Sequence, residues 1–172
     1  MRELARIPIV IEGELKTLSP TRENSLIEKI INEFAPRFTP GGKLIYVGDE
    51  DEKIAHFNEC ALRDLGVTVD FHVKMPNVII HHGKNNWLVV IEAVTSHGSI
   101  NAKRKQELET IFADLKIPLV MVTTFLHRQA MVEYWAEIAW KTDVWVAEDA
   151  THLIHFNGHY SLQAYQRNSE TK

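Results

Sequence analysis

Two apolar runs, Val78 to Ile80 and Trp87 to Ile91, flank the polar turn His82-Gly83-Lys84-Asn85-Asn86. Such a pair reads as two antiparallel strands joined by a hairpin. Its consecutive apolar side chains need cover on both faces of a sheet. Helical patterns on either side supply that cover. Leu26, Ile27, Ile30, Ile31 and Phe34 form one apolar stripe, and Leu108, Ile111, Phe112 and Leu115 form another. The expected fold class is α/β, a mixed β-sheet flanked by helices.

The rest of the chain fits that frame. Ile7 to Ile11 is a short β-branched run suited to a sheet edge. Ser19-Pro20 reads as an N-cap with proline at the first helical position, and Pro36 is expected to end that helix. Leu44 to Val47 reads as a strand. Ile54, Phe57, Ala61, Leu62 and Leu65 predict a helix closed by Gly66 at its C′ position. Val67, Val69 and Phe71 alternate with polar residues as a half-buried strand does. Leu119 to Thr123 predicts a strand, and Met131, Val132, Trp135, Ile138 and Ala139 predict a helix. Short strands follow at Val144 to Val146 and Leu153 to Phe156. With 172 residues and no linker or repeat, a single domain over 1–172 is expected, with 1–43 an N-terminal strand and helix extension and 44–158 the core.

A formal charge of −4 argues against a polybasic coat, though one charged face is compatible with it. The single cysteine, Cys60, excludes an intramolecular disulfide and suits a reducing cytoplasm. No run approaches the ~20 apolar residues of a membrane span, and the N-terminus lacks a signal-peptide core, so a cytoplasmic location is expected.

Glu92 follows four apolar strand residues, at the margin of a buried sheet. An unpaired charge there would cost several kcal/mol, so it needs a cation, a metal or water beside it; a solvated strand end is the plain alternative. Asn101 is a candidate N-cap that places Lys103, Arg104 and Lys105 in the first turn of a helix. The helix dipole disfavours cations at that end, which makes sense if an anion such as phosphate binds between them and Glu92. The other reading is a solvated basic patch matched by Glu107 and Glu109. A carboxylate beside such a helix start suits metal-assisted phosphodiester hydrolysis, with a lysine stabilising charge on the phosphorus. A second metal ligand would come from the neighbouring strand, at Asn77, with Asp70 and Asp49 as other acids close by.

These residues carry a resemblance. His72-Val-Lys74-Met-Pro76-Asn77-Val-Ile, Ile91-Glu92-Ala93-Val94-Thr95-Ser96-His97-Gly98 and Lys103-Arg104 are similar to the C-terminal catalytic domain of the BsuBI/PstI type II restriction endonucleases. Tyr46-Val-Gly48-Asp49 with Lys53, and Val144-Trp145-Val146-Ala147 followed by Thr151 to Gly158, extend the similarity from about Leu44 to Gly158. The resemblance implies a PD-(D/E)XK nuclease core and Mg²⁺-dependent cleavage of duplex DNA by a homodimer, with Mn²⁺ as a substitute ion. A companion DNA methyltransferase would complete such a system. The implied metal ligands are Glu92, Asn77 and the Ala93 carbonyl, and Asn77, Glu92 and Lys103 are the implied catalytic set. Ser96, His97, Arg104 and Lys105 are the implied DNA contacts.

Two positions depart from the family pattern. Asn77 stands where the family has Pro-Asp, which replaces an anionic carboxylate with a neutral amide and should weaken metal binding. Engineered knock-down, natural degeneration and compensated variation all fit the sequence. Val94 stands where the signature lysine is expected, two residues after Glu92, so a lysine must come from elsewhere: Lys103 first, then Lys105 and Lys74. The family's N-terminal half is largely missing from this chain, so recognition is expected to be impaired or supplied by another chain. The alternative to an enzyme is an inactive DNA-binding or assembly domain that keeps the nuclease fold.

Several other residues have plain readings. His152, His155 and His159 have loose metal spacing, but strand alternation separates the first two. His81-His82 flank the hairpin turn. Trp87, Trp135, Trp140 and Trp145 read as core or dimer contacts, and Cys60 as inert.

Overall fold

The computed structural model describes residues 5–70, 72–96 and 98–157. His97, Phe71, Gly158 and His159, all named above, lie outside the described residues.

Strands β1 (Ile7–Ile11) and β2 (Glu14–Leu18) form a separate two-stranded antiparallel sheet. The chain reverses at Glu12-Gly13, whose φ values of 52° and 80° are those of a two-residue hairpin turn. The first run is thus a strand, but it pairs with β2 instead of an edge of the main sheet. Helix α1 (Arg22–Lys29) follows, capped by Thr21 and not by Ser19: the Thr21 hydroxyl accepts the Asn24 N–H at 3.1 Å. Pro36 does not end the helix. A π-helical turn over Ile30–Phe34 leads into α2 (Ala35–Phe38), with Pro36 in its first turn. The wider turn makes room for the proline ring, and a proline at a helix start loses no intrahelical bond.

Strand β3 (Lys43–Asp49) turns into β4 (Lys53–Phe57), and only then does α3 (Glu59–Asp64) begin. The helix expected from Ile54 is therefore a strand for its first half. The Asp49 carboxylate causes this, because its Oδ1 accepts the N–H groups of Asp51 and Glu52 and folds the chain straight back on β3. Gly66 does close α3, with φ 96° and a Cβ site only 2.5 Å from the Asp114 carbonyl oxygen. The strand expected around Val67 is irregular chain through Asp70.

Next come β5 (Val78–His82), β6 (Trp87–Val94), α4 (Ala102–Ile111), β7 (Leu119–Phe125), α5 (Arg128–Val132), β8 (Asp143–Val146) and β9 (Leu153–His155). The helix expected from Met131 to Ala139 stops at Val132 and gives way to a 3₁₀ turn at Trp135–Glu137. Val132 and Trp135 are exposed, so the apolar spacing there is not one buried stripe. The main sheet has the order β4-β3-β5-β6-β7-β8-β9, with β6, β7 and β8 parallel and the other pairs antiparallel. Its alternating side chains feed two cores. Val78, Ile80, Val89 and Ile91 pack with α1, the π turn and the β1–β2 hairpin. Ile79, Leu88 and Val90 pack with α3, α4 and Phe112. The result is a mixed sheet with helices on both faces.

Candidate active site

The β5–β6 ladder fixes the site. Its last backbone pair is Val78 with Ile91, so one step further Asn77 stands opposite Glu92. The backbone stops pairing there and the Asn77 side chain takes over: its Oδ1 accepts the Ala93 N–H at 2.8 Å. That bond fixes the amide orientation, because only the carbonyl oxygen can accept. The Nδ2 group is left to donate to Glu23 Oε1, at 2.6 Å. The Gly48 N–H donates to the Asn77 carbonyl at 2.8 Å, and holds the residue from the other side.

Glu23 lies in the first turn of α1, where a carboxylate suits the helix dipole. The start of α1 is tied to the tip of β3. Asp49 Oδ2 accepts the Ser19 N–H at 2.7 Å, and the Asn24 side chain donates to the Ser19 carbonyl and accepts the Glu50 N–H. These bonds carry Glu23 to the end of the central hairpin.

Glu92 is 5% exposed and Arg104 8%. Nε and Nη2 of Arg104 both reach Glu92 Oε1, at 2.8 and 2.7 Å. Nη2 also donates to the Lys74 carbonyl at 2.9 Å, and Nη1 meets Glu107 at 3.3 Å. Burial pushes the Glu92 carboxyl above its ordinary range; Arg104, by charge and hydrogen bond, and the Lys74 ammonium pull it back, while Glu23 pushes it up. Glu23, Lys74, Asn77, Glu92, Ala93, Thr95, Ser96 and Gly98 line one small cavity of about 50 Å³. Two carboxylates and the Lys74 ammonium thus line it, with Arg104 paired to Glu92 from outside the lining.

The structure therefore brings Asn77, Glu92, Ala93 and Ser96 together. Arg104, expected to face a DNA backbone, is turned inward onto Glu92. Lys105 pairs with Glu109, so two of the three cations at the start of α4 are matched by Glu107 and Glu109, in line with the plain reading of that patch. Lys103 is exposed and lines a neighbouring groove of about 540 Å³ with Val73 and Lys74. Of the three lysines considered, Lys74 is the one at the cavity. Asp49 is a structural acid, and Asp70 accepts the N–H of His72. Glu23 escaped the sequence reading; its signal was an acidic residue two places after a threonine cap. Trp145 is buried, whereas Trp87, Trp135 and Trp140 are exposed.

Glu23 and Glu92 are hard oxygen donors of the kind that Mg²⁺ takes from a protein. Asn77 is less suited: one lone pair of its oxygen accepts the Ala93 N–H, and its own N–H group faces Glu23. Among the described residues no three His, Cys, Asp or Glu side chains come together; Asn77 lines the cavity beside Glu23 and Glu92 as a neutral amide.

Comparison with known proteins identifies the family. The BsuBI/PstI restriction endonuclease domain family matches residues 7–159. The chain is 46% identical over 166 residues to the type II restriction enzyme BsuBI of Bacillus subtilis, covering 96% of this chain and 52% of that enzyme. It is 26% identical over 149 residues to the type II restriction enzyme AplI of Arthrospira platensis, covering 83% of this chain and 46% of that one. The solved structure of SdaI restriction endonuclease superposes with a TM-score of 0.85 at 39% identity, over 96% of this chain and 52% of SdaI. The chain spans about half the length of the relatives it matches. Sheet order and these similarities agree: the chain has a restriction endonuclease fold and belongs to the BsuBI/PstI restriction endonuclease family.

Proposed function

We propose that the chain hydrolyses phosphodiesters of duplex DNA in a metal-dependent reaction of the type II restriction class, slowed by Asn77. The observation that carries this reading is the convergence of Glu23, Asn77, Glu92 and Lys74 at the end of the β5–β6 hairpin. Glu23 and Glu92 would hold the ion, Mg²⁺ or Mn²⁺ in its place. When bound, such an ion neutralises charge on the phosphoryl oxygens and acidifies a water. Lys74 replaces Lys103 as the group that stabilises negative charge developing on the phosphorus oxygens. Asn77 accepts the Ala93 N–H, as an aspartate there would, and its Nδ2 donates to Glu23, which an aspartate carboxylate could not do. Lys103, on the exposed face of α4, and Ser96, on the cavity wall, would meet backbone phosphates beside the site. Double-stranded DNA is the substrate class. A homodimer would present two such sites to a duplex, with a methyltransferase as the companion activity.

One observation favours a second reading. The Asn77 amide and Arg104 give Glu23 and Glu92 hydrogen-bond partners with no external ion, as a DNA-binding domain without cleavage would require. Incubating duplex DNA with Mg²⁺ or Mn²⁺ and comparing the chain as it stands with Asn77→Asp and Glu92→Ala separates the two. Gain of cleavage and of metal binding in Asn77→Asp, with loss of both in Glu92→Ala, supports hydrolysis. DNA binding without product in every variant supports the second reading.

A further inference from the structure

Arg104 is the most deeply placed cation around the cavity, and its contacts are unusual for a residue in the first turn of a helix. The dipole at that end repels it. Yet it is buried on α4 and reaches back across the sheet end. Two of its nitrogens converge on one oxygen of Glu92 and do not fork across both. A carboxylate gripped through one oxygen keeps the second for another partner. The same guanidinium donates to the Lys74 carbonyl, and so anchors the segment that brings the Lys74 side chain to the cavity.

We propose that Arg104 is a positioning residue that serves as the built-in counter-ion of Glu92 and makes the folded state independent of a divalent cation. The inference rests on Glu92 being the cation-binding carboxylate of the function proposed above. A buried carboxylate stripped of its partner is strongly destabilising. Without Arg104, the charge on Glu92 keeps the Lys74 ammonium to oppose it, with Glu23 adding repulsion, and an external cation takes up the vacated role. Arg104 thus opposes a cation at the second oxygen of Glu92 by its charge.

The test uses the full chain and Mn²⁺ alone, with no DNA. Thermal unfolding and calorimetric titration are compared for the unaltered protein, Arg104→Met, and the double variant Arg104→Met/Glu92→Gln. The expected result is a small Mn²⁺-induced rise in Tm for the unaltered protein and a clearly larger one for Arg104→Met. Mn²⁺ should also bind Arg104→Met about tenfold more tightly, the order expected when a full charge a few ångströms away is removed. The double variant should recover stability and ignore Mn²⁺. Equal Mn²⁺ responses in the single variant and the unaltered protein overturn the proposal. Should Arg104→Met fold only with Mn²⁺, the proposal stands. Should it fold under no condition, the double variant decides: a folded, Mn²⁺-indifferent protein supports the counter-ion role, and an unfolded one shows that Arg104 is needed for packing instead. Because no cleavage is read, failure here leaves the nuclease reading intact. A positive result with no cleavage by any variant removes hydrolysis while sparing the counter-ion.

Discussion

Asp49 shows how one side chain sets the geometry of a distant site. Burial pushes its carboxyl up, but the amides of Ser19, Glu52 and Asp51 outweigh that and hold it at about 2. A depressed carboxyl stabilises the fold above its unfolded value, near 3.8, and loses that contribution as pH falls towards 2. Asp49→Asn should therefore cost about 2 kcal/mol at neutral pH and flatten the acid limb between roughly pH 4 and 2, as read by urea unfolding across that range. It should also loosen Glu23, which reaches the cavity through the Ser19 and Asn24 bonds. Part of the site was legible at this scale. A carboxylate after four apolar strand residues marks Glu92, and the hairpin register points to Asn77. Glu23 was not legible, because it meets Asn77 from 54 positions away in sequence. The sequence shows Arg104 as a cation at a helix start but holds no sign of which way it turns.

Among the elements, the central hairpin was the most legible, since two apolar runs around a polar turn admit few other pairings. The β3–β4 hairpin was not, because Ile54 and Phe57 sit three apart and mimic a helical face while Asp49 forces a turn. The helix expected at Met131 fails for the converse reason: its spacing is helical, but Val132 and Trp135 stay largely exposed. Helix α4 is the element that brings Arg104 to Glu92, and its start depends on Asn101, whose Oδ1 accepts the Arg104 N–H at 2.8 Å. Asn101→Ala removes that acceptor. A loss of about 1 kcal/mol in chemical denaturation is expected, together with weaker ordering of Arg104. No loss would mean that tertiary packing alone holds the first turn of α4.

Over the whole molecule, the net charge of −4 means that the DNA of the proposed function would be met by a local face. The exposed Lys74 and Lys103 line one groove next to the cavity. Gel shifts at two salt concentrations should show log K falling by ~0.9 per neutralised phosphate. Lys103→Ala should reduce that slope by about 1 without touching the cavity; an unchanged slope would place the DNA on another face. The helices on both faces were legible in the apolar runs, whereas the N-terminal segment, read as an extension, proves to carry Glu23 into the site and the β1–β2 hairpin into the core. The most direct measurement is nicking of a supercoiled plasmid in Mg²⁺ by Asn77→Asp, beside the unaltered chain and Asn77→Asp/Glu92→Ala. An acid at position 77 should raise the rate at least about tenfold, equivalent to 1.4 kcal/mol at the barrier, and the added Glu92→Ala should abolish it. A rate that is unchanged by the new acid and indifferent to the loss of Glu92 would contradict the placement of catalysis at the end of this hairpin.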